Sequence, residues 1–160
     1  VAEKSKWGRS LPKGYGLGIS IHKTRGSIGG AVIEVSSDSS GMLTLRKAWI
    51  AIDCGKVINP DTVRAQMEGG FTFGLSAALS EEITMKDGRV EQSNFHDYSI
   101  LRLKGSPEIS VEIIESGNEI GGVGEVAVPL AAPALTSAIF SSSGRRIRTL
   151  PLSKHGIKIT

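Results

Sequence analysis

The chain has 160 residues, of which 39% are hydrophobic and 22% charged, and this balance is typical of a globular chain with one core. No stretch approaches the roughly 18 consecutive apolar residues that a membrane-spanning helix needs, and a net charge of +3 with one basic cluster near the end does not favour a nucleic-acid partner. One cysteine forms no internal disulfide and supplies too few thiolates for an iron–sulfur cluster, and the three histidines are scattered, so the sequence predicts no metal site built by this chain alone.

The first third of the chain predicts a linker followed by a β-meander. Residues 1–13 are polar and charged, and we interpret them as a linker from an upstream domain, with residues 14–160 belonging to one domain. The chain from Tyr15 to Ile52 contains three β-like runs. Within the second run, residues 31–36 alternate between a more apolar and a wetter face, which is the period of a strand.

A helix is predicted over residues 60–80. Asn59 is a favourable N-cap residue, and Pro60 suits the first helical position. Hydrophobic residues then recur every three to four positions on one stripe, which comprises Val63, Met67, Phe71, Leu75, Ala78 and Leu79. The neighbouring face carries Gln66 and mostly small residues, including two glycines that each cost about 1 kcal/mol relative to alanine. We favour close helix packing over a ligand as the reason for these glycines.

The rest of the chain predicts further strands and a second helix. We expect a short hairpin around residues 86–88, an extended segment over 94–103 and a strand over 109–114. A helix is expected over 128–143, and a last strand over 147–152. Strand clusters combined with two main helices, about 60–80 and 128–143, indicate an α+β fold with a mixed or antiparallel sheet.

Glycines are also concentrated in three segments, 14–18, 69–74 and 117–124, where we expect another backbone or a ligand to approach closely. The last of these segments lies between a predicted strand and a predicted helix, so its backbone N–H groups can form a cradle for anionic or oxo groups. It matches neither the Walker P-loop nor the dinucleotide-binding fingerprint. A tight turn without a ligand is the alternative interpretation.

Glu125 follows these glycines directly and precedes the apolar run of residues 126–128. A carboxylate in such a setting is typical of a general base. A glutamate that stabilises the positive end of a helix is the other interpretation. At the level of function, a non-redox module that binds a small ligand or nucleotide at Gly121–Glu125 and a purely structural domain also remain open.

Two blocks of the sequence carry a resemblance to a known family, and they are GGVGEVAVPLAAPALTSAIFSSSGRRIRTLPL and DCGKVINPDTVRAQMEGGFTFGL. Both resemble the xanthine dehydrogenase and aldehyde oxidase family of molybdenum hydroxylases, and they occur in the family order. The segments NFHDYSILR and RRIRTLPL are similar to those of large subunits of the isoquinoline 1-oxidoreductase type. The resemblance extends from about Gly14 to the end of the chain. Where animal xanthine enzymes have Pro-Pro after the glutamate, this sequence has Val-Ala-Val-Pro, which bears on the substrate.

The resemblance implies a role for five residues. Glu125 matches the catalytic glutamate at the metal, and Gln66 matches the glutamine that hydrogen-bonds the molybdopterin cofactor. Gly122, Val123 and Gly124 match the loop that presents the glutamate. No residue of this chain is expected to ligate the metal.

The resemblance also implies the reaction and its partners. It implies hydroxylation of a small N-heterocycle or aldehyde with oxygen from water, with Glu125 as general base at the molybdenum. The cofactor would be molybdenum–molybdopterin, in the cytosine dinucleotide form, and [2Fe–2S] clusters would lie on a small partner subunit. Residues 14–160 would then be the C-terminal part of a molybdopterin-binding domain, inactive without the remainder of a longer large subunit.

Overall fold

The computed structural model describes residues 1–38 and 40–159. Within these residues the chain forms, in order, helix α1 (Ala2–Ser5), strands β1 (Tyr15–Thr24), β2 (Ser27–Ser37) and β3 (Leu43–Asp53), helix α2 (Pro60–Leu79), strands β4 (Met85–Lys86), β5 (Arg89–Val90) and β6 (Glu108–Ile114), and helix α3 (Val128–Ser143). Short 3-10 helices lie at Leu103–Gly105 and Leu152–His155. The α+β class is confirmed. None of the described helices combines the length and apolar character needed to cross a membrane.

The main sheet has the strand order β1-β2-β3-β6. The first three strands pair antiparallel and β6 pairs parallel with β3, so the sheet is mixed. The register places Trp49 of β3 between Val32 of β2 and Ser110 of β6. The predicted meander and the predicted strand near residues 109–114 are confirmed, and β4 with β5 forms the expected short hairpin.

Helix α2 begins where the sequence predicts. The side-chain oxygen of Asn59 accepts hydrogen bonds from the backbone N–H groups of Asp61 and Thr62, both at 3.1 Å, and Pro60 is the first helical residue. The predicted stripe is buried in the core that α2 shares with α3 and the sheet. Because each buried large side chain contributes roughly 1.5–3 kcal/mol, this packing outweighs the cost of about 1 kcal/mol for each helical glycine.

Close approach of the helix α3 backbone explains glycines in the first two of the three glycine-rich segments. A Cβ atom on Gly18 of β1 would lie 1.9 Å from the carbonyl oxygen of Ala134 in α3, and one on Gly74 of α2 would lie 2.4 Å from that of Val128. Helix α3 therefore packs against both elements at distances that only glycine permits. Helix packing, the favoured reason for the glycines of α2, is confirmed at Gly74, whereas Gly69 borders open space.

The first residues of the chain pack against the sheet. Lys4 forms an ion pair with Glu112 at 3.3 Å, and Arg9 forms one with Glu34. Strand alternation places both glutamates on the sheet face opposite α3. Residues 1–13 are thus more than a spacer, and their connection to an upstream domain stays a prediction.

The strand predicted over residues 147–152 is wrong. The segment is irregular, and a 3-10 helix begins at Leu152. Ile147 and Leu152 are buried, which explains the apolar pattern, but Pro151 has no N–H group to donate to a sheet ladder. The apolar pattern of this segment therefore reflects the packing of Ile147 and Leu152 in the core and does not indicate a strand.

The extended segment predicted over residues 94–103 is wrong at its start, where the chain makes a turn, and at its last residue, Leu103, where a 3-10 helix begins. The Asp97 carboxylate accepts hydrogen bonds from the backbone N–H groups of Asn94, at 3.0 Å, and Ser93, at 2.9 and 3.0 Å. These hydrogen bonds hold the pKa of Asp97 at about 2, well below its ordinary value. A side chain that satisfies its own neighbouring backbone competes with extended structure.

Candidate active site

The glycine-rich loop between β6 and α3 is hydrogen-bonded to one end of the sheet, at the β1–β2 turn and just after β3. The N–H of Gly121 donates to the carbonyl of Cys54, just after β3, and the N–H of Gly122 donates to the carbonyl of Arg25, between β1 and β2, both at 2.9 Å. The hydroxyl of Ser27, which is fully buried, donates to the Gly122 carbonyl at 2.7 Å. The sheet therefore determines the path of the loop.

Two glycines of the loop have different surroundings. A Cβ atom on Gly121 would lie 2.2 Å from Oγ and 2.8 Å from the backbone nitrogen of Ser27, so a side chain is excluded there. At Gly124 the same construction meets no described atom within 4 Å. Contact with the sheet explains Gly121, whereas Gly124 borders open space in which a ligand can approach the backbone.

Glu125 lies three residues before the first residue of α3, and its side chain is 66% exposed. Its Oε1 atom is 3.8 Å from Nε of Arg25. The N-cap residue of α3, Ala127, has no side-chain capping bond, and Glu125 contributes only its backbone carbonyl, which accepts from the Val128 N–H at 3.0 Å. The carboxylate is therefore not engaged in capping the helix and is available to a ligand.

An open depression of about 370 Å³ lies over the loop. Its lining includes Glu125 and Arg25, together with Gly122, Gly124 and Val126. Val126 is almost completely buried and anchors the base of the depression in the core. This volume lies within the range of about 300–1,000 Å³ that small-molecule sites occupy.

Gln66 meets the loop from helix α2. Its Nε2 atom donates a long hydrogen bond to the carbonyl oxygen of Gly124, at 3.4 Å. Its side chain remains exposed, so the amide can also bind a ligand. The structure thus brings together all the residues predicted for the site, which are Gln66, Gly122, Val123, Gly124 and Glu125.

Three consecutive backbone N–H groups of the loop, those of Val123, Gly124 and Glu125, have no acceptor among the described residues. Free N–H groups in a row are suited to anionic or oxo groups. In the part of the chain that the structure describes, no group of three His, Cys, Asp or Glu side chains could hold a metal ion. The loop thus presents backbone hydrogen-bond donors beside the exposed carboxylate of Glu125.

Four residues around the loop were not predicted from the sequence, namely Arg25, Ser27, Asp53 and Asn118. Hydrogen bonds from the Ser116 side chain, the Gly55 N–H and the Asn118 amide hold the pKa of Asp53 below its ordinary value. These hydrogen bonds connect Asp53, at the end of β3, to the segment that precedes the glycines of the loop. The only local signals were the Arg-Gly pair between two β-like runs and the Asp-Cys-Gly sequence after an apolar strand.

Residues 12–107 match a family model described as a molybdopterin cofactor-binding domain. Over 156 residues the chain is 38% identical to the isoquinoline 1-oxidoreductase subunit beta of Brevundimonas diminuta. The chain belongs to the xanthine dehydrogenase and aldehyde oxidase family, as part of its molybdopterin-binding domain. The family model includes Gln66 and ends before the glycine-rich loop, whereas the match to the isoquinoline enzyme covers 95% of the chain.

Other relatives support this membership. The chain is 35% identical over 160 residues, or 95% of its length, to the membrane-bound aldehyde dehydrogenase (pyrroloquinoline-quinone) of Gluconacetobacter polyoxogenes. Among solved structures, it resembles quinoline 2-oxidoreductase from Pseudomonas putida 86 with a TM-score of 0.71 and 28% identity, over 79% of this chain and 17% of that one. The chain spans 20% of the length of the isoquinoline and aldehyde enzymes that it matches.

Proposed function

We propose that this molybdopterin-binding chain is the C-terminal portion of the catalytic large subunit of a molybdenum-dependent hydroxylase. The enzyme oxidises N-heterocycles or aldehydes with oxygen from water, and Glu125 is its general base. Besides family membership, one contact supports this proposal, the hydrogen bond from Gln66 to the Gly124 carbonyl at 3.4 Å. The contact places the exposed Gln66 amide beside the loop that carries Glu125, so a cofactor that lies across both can bind them together.

The residues around the loop fit an oxygen-rich cofactor. The free N–H groups of Val123, Gly124 and Glu125 can donate to oxo or phosphate oxygens, and the Gln66 amide can do so from α2. When bound, the molybdenum–molybdopterin group supplies the two-electron redox chemistry that the side chains of this chain do not. We expect its cytosine dinucleotide form, with [2Fe–2S] clusters on a small partner subunit.

Glu125 acts on protons. Its exposed carboxylate would accept the proton of the water-derived oxygen that bonds to an electron-poor carbon beside a ring nitrogen or in an aldehyde, and the hydride that leaves this carbon would pass to the cofactor. The hydrogen bonds of Gly121 and Gly122 hold the backbone of the loop that carries Glu125. Such placement matters because an error of about 1 Å can cost on the order of 100-fold in rate.

The chain alone is expected to be inactive. Glu125 is 66% exposed and the depression around it is open, so other parts of the large subunit must complete the walls and exclude water. With only Gln66 and the loop to hold it, the cofactor should bind weakly to the isolated chain. Activity and tight cofactor binding therefore belong to the complete subunit with its partner.

Molybdenum and pterin analysis of the intact large subunit, purified with its partner, tests the proposal. We expect one molybdenum and one pterin dinucleotide for each active subunit, and turnover that scales with this content. A metal-free complex with full turnover would overturn the proposal and favour a non-redox ligand site at Gly121–Glu125.

A further inference from the structure

Arg25 occupies an unusual position beside Glu125. It is the first residue of the two-residue turn between β1 and β2, with φ of +51°, and Gly26 follows with φ of +81°. Tight turns of this kind favour Asn, Asp or Gly at the first position, because left-handed backbone is unfavourable for a residue with a Cβ atom. Turn chemistry therefore does not explain a long cationic side chain here.

The turn that contains Arg25 is joined by hydrogen bonds to the glycine-rich loop that carries Glu125. The Arg25 carbonyl accepts from the Gly122 N–H at 2.9 Å, and the buried Ser27 hydroxyl donates to the Gly122 carbonyl at 2.7 Å. A Cβ atom on Gly26 would lie 3.4 Å from Cα of Gly121, so the two backbones are in contact. The backbones that carry Arg25 and Glu125 thus keep a fixed relative position.

The N–H donors of the Arg25 guanidinium are largely available to a ligand. Its Nε lies 3.8 Å from the Glu125 carboxylate, and within the described residues no hydrogen bond from its other N–H groups is formed. The Arg25 side chain is 77% exposed, and an exposed ion pair contributes little to stability. Stability of the fold therefore does not account for this arginine, whereas a ligand in the depression that it lines would.

We propose that Arg25 is the specificity-determining residue of this site and binds the carboxylate group of an anionic N-heterocyclic or aldehyde substrate. This inference rests on the function proposed above. A planar guanidinium matches a carboxylate with two parallel hydrogen bonds. Its positive charge also offsets the repulsion between Glu125 and a second anion. An uncharged substrate gains neither effect.

The test compares an isosteric pair of probes, pyridine-3-carboxylate and pyridine-3-carboxamide, on the intact holoenzyme. Wild type should have the higher kcat/KM and the lower Kd for the carboxylate. Arg25→Gln should lower kcat/KM for the carboxylate by about 10- to 100-fold, the effect expected for hydrogen bonds to a charged group, and for the carboxamide by less than about threefold. Arg25→Lys, which keeps the charge without the planar fork, should retain part of the preference.

Arg64→Gln is the matched control, because Arg64 forms an exposed ion pair with Asp61 at 3.1 Å on α2 and does not line the depression. It should leave the preference unchanged. No preference in wild type, or equal losses for both probes in Arg25→Gln, would overturn the inference. Equal losses with reduced molybdenum content would assign Arg25 to the cofactor instead. Failure of the proposed function looks different, because wild type would then contain no molybdenum.

Discussion

Gln66 makes one hydrogen bond among the described residues, the 3.4 Å bond to Gly124, and its side chain is otherwise exposed. Gln66→Ala should therefore change the free energy of unfolding by less than about 0.5 kcal/mol. The same substitution should lower the molybdenum and pterin content of the intact enzyme, with a smaller effect on the turnover of each occupied site. Gln92→Ala, which removes two hydrogen bonds with Thr84 outside the site, is the control and should leave cofactor content unchanged. Normal cofactor content in Gln66→Ala would argue against a cofactor contact.

The carboxylate of Asp53 should make the stability of the loop region depend on pH in the acid range. Hydrogen bonds from Ser116, Gly55 and Asn118 favour the charged carboxylate, so the pKa of Asp53 in the folded chain lies below 3.8. A lowered carboxyl pKa stabilises the folded state above the unfolded pKa of about 3.9, and this contribution is lost as the pH falls through the folded pKa. In an NMR pH series, the Gly55 amide signal should titrate below pH 3.8 and lose this transition in Asp53→Asn. A midpoint at or above 3.8 would contradict the hydrogen-bonding pattern.

The contact between α2 and α3 holds Gln66 and the Glu125 loop together, and Gly74 sets its distance. A Cβ atom at Gly74 would lie 2.4 Å from the carbonyl oxygen of Val128 and 2.8 Å from Cβ of Ala131. Gly74→Ala should therefore destabilise the fold by about 1–3 kcal/mol, although alanine is the better helix former. Gly69→Ala is the matched control, since nothing lies within 4 Å of its Cβ position, and it should stabilise by up to about 1 kcal/mol. Urea unfolding of both variants measures the difference, and a stabilised Gly74→Ala would refute the close contact.

The elements that sequence patterns predicted are those whose signals are local. Asn59, Pro60 and the stripe that follows lie within one helix, so the start of α2 and its buried face could be read directly. The apolar pattern of residues 147–152 reflects contacts with the distant core, which a local pattern cannot distinguish from a strand.

The candidate site was only partly accessible from sequence for the same reason. Gln66 and Glu125 were found through resemblance to a family, and their proximity depends on a contact between residues 58 positions apart. Ser27 reaches Gly122 across 95 positions, so nothing near Ser27 or Arg25 in the sequence reveals that they border the loop. Only the folded sheet brings that turn to the site.

Over the whole molecule, we propose that the chain provides one side of a site. Glu125 is largely exposed, and Gln66 and Phe73 are exposed on helix α2. The chain also spans 20% of the length of relatives such as the isoquinoline enzyme. Under the proposed function, reaction rates are therefore to be measured on the intact enzyme, whose other parts we expect to complete the walls.

The decisive measurement is the turnover of Glu125→Gln in the intact enzyme, together with its molybdenum and pterin content. Glutamine keeps the size and hydrogen-bonding capacity of glutamate but does not serve as the base. Cofactor content should stay near wild type while turnover falls on the order of 100- to 10,000-fold. Glu119→Gln, at an exposed position earlier in the same loop, should leave turnover unchanged. Retention of more than about a tenth of wild-type turnover in Glu125→Gln with cofactor bound would contradict the role of Glu125 as general base.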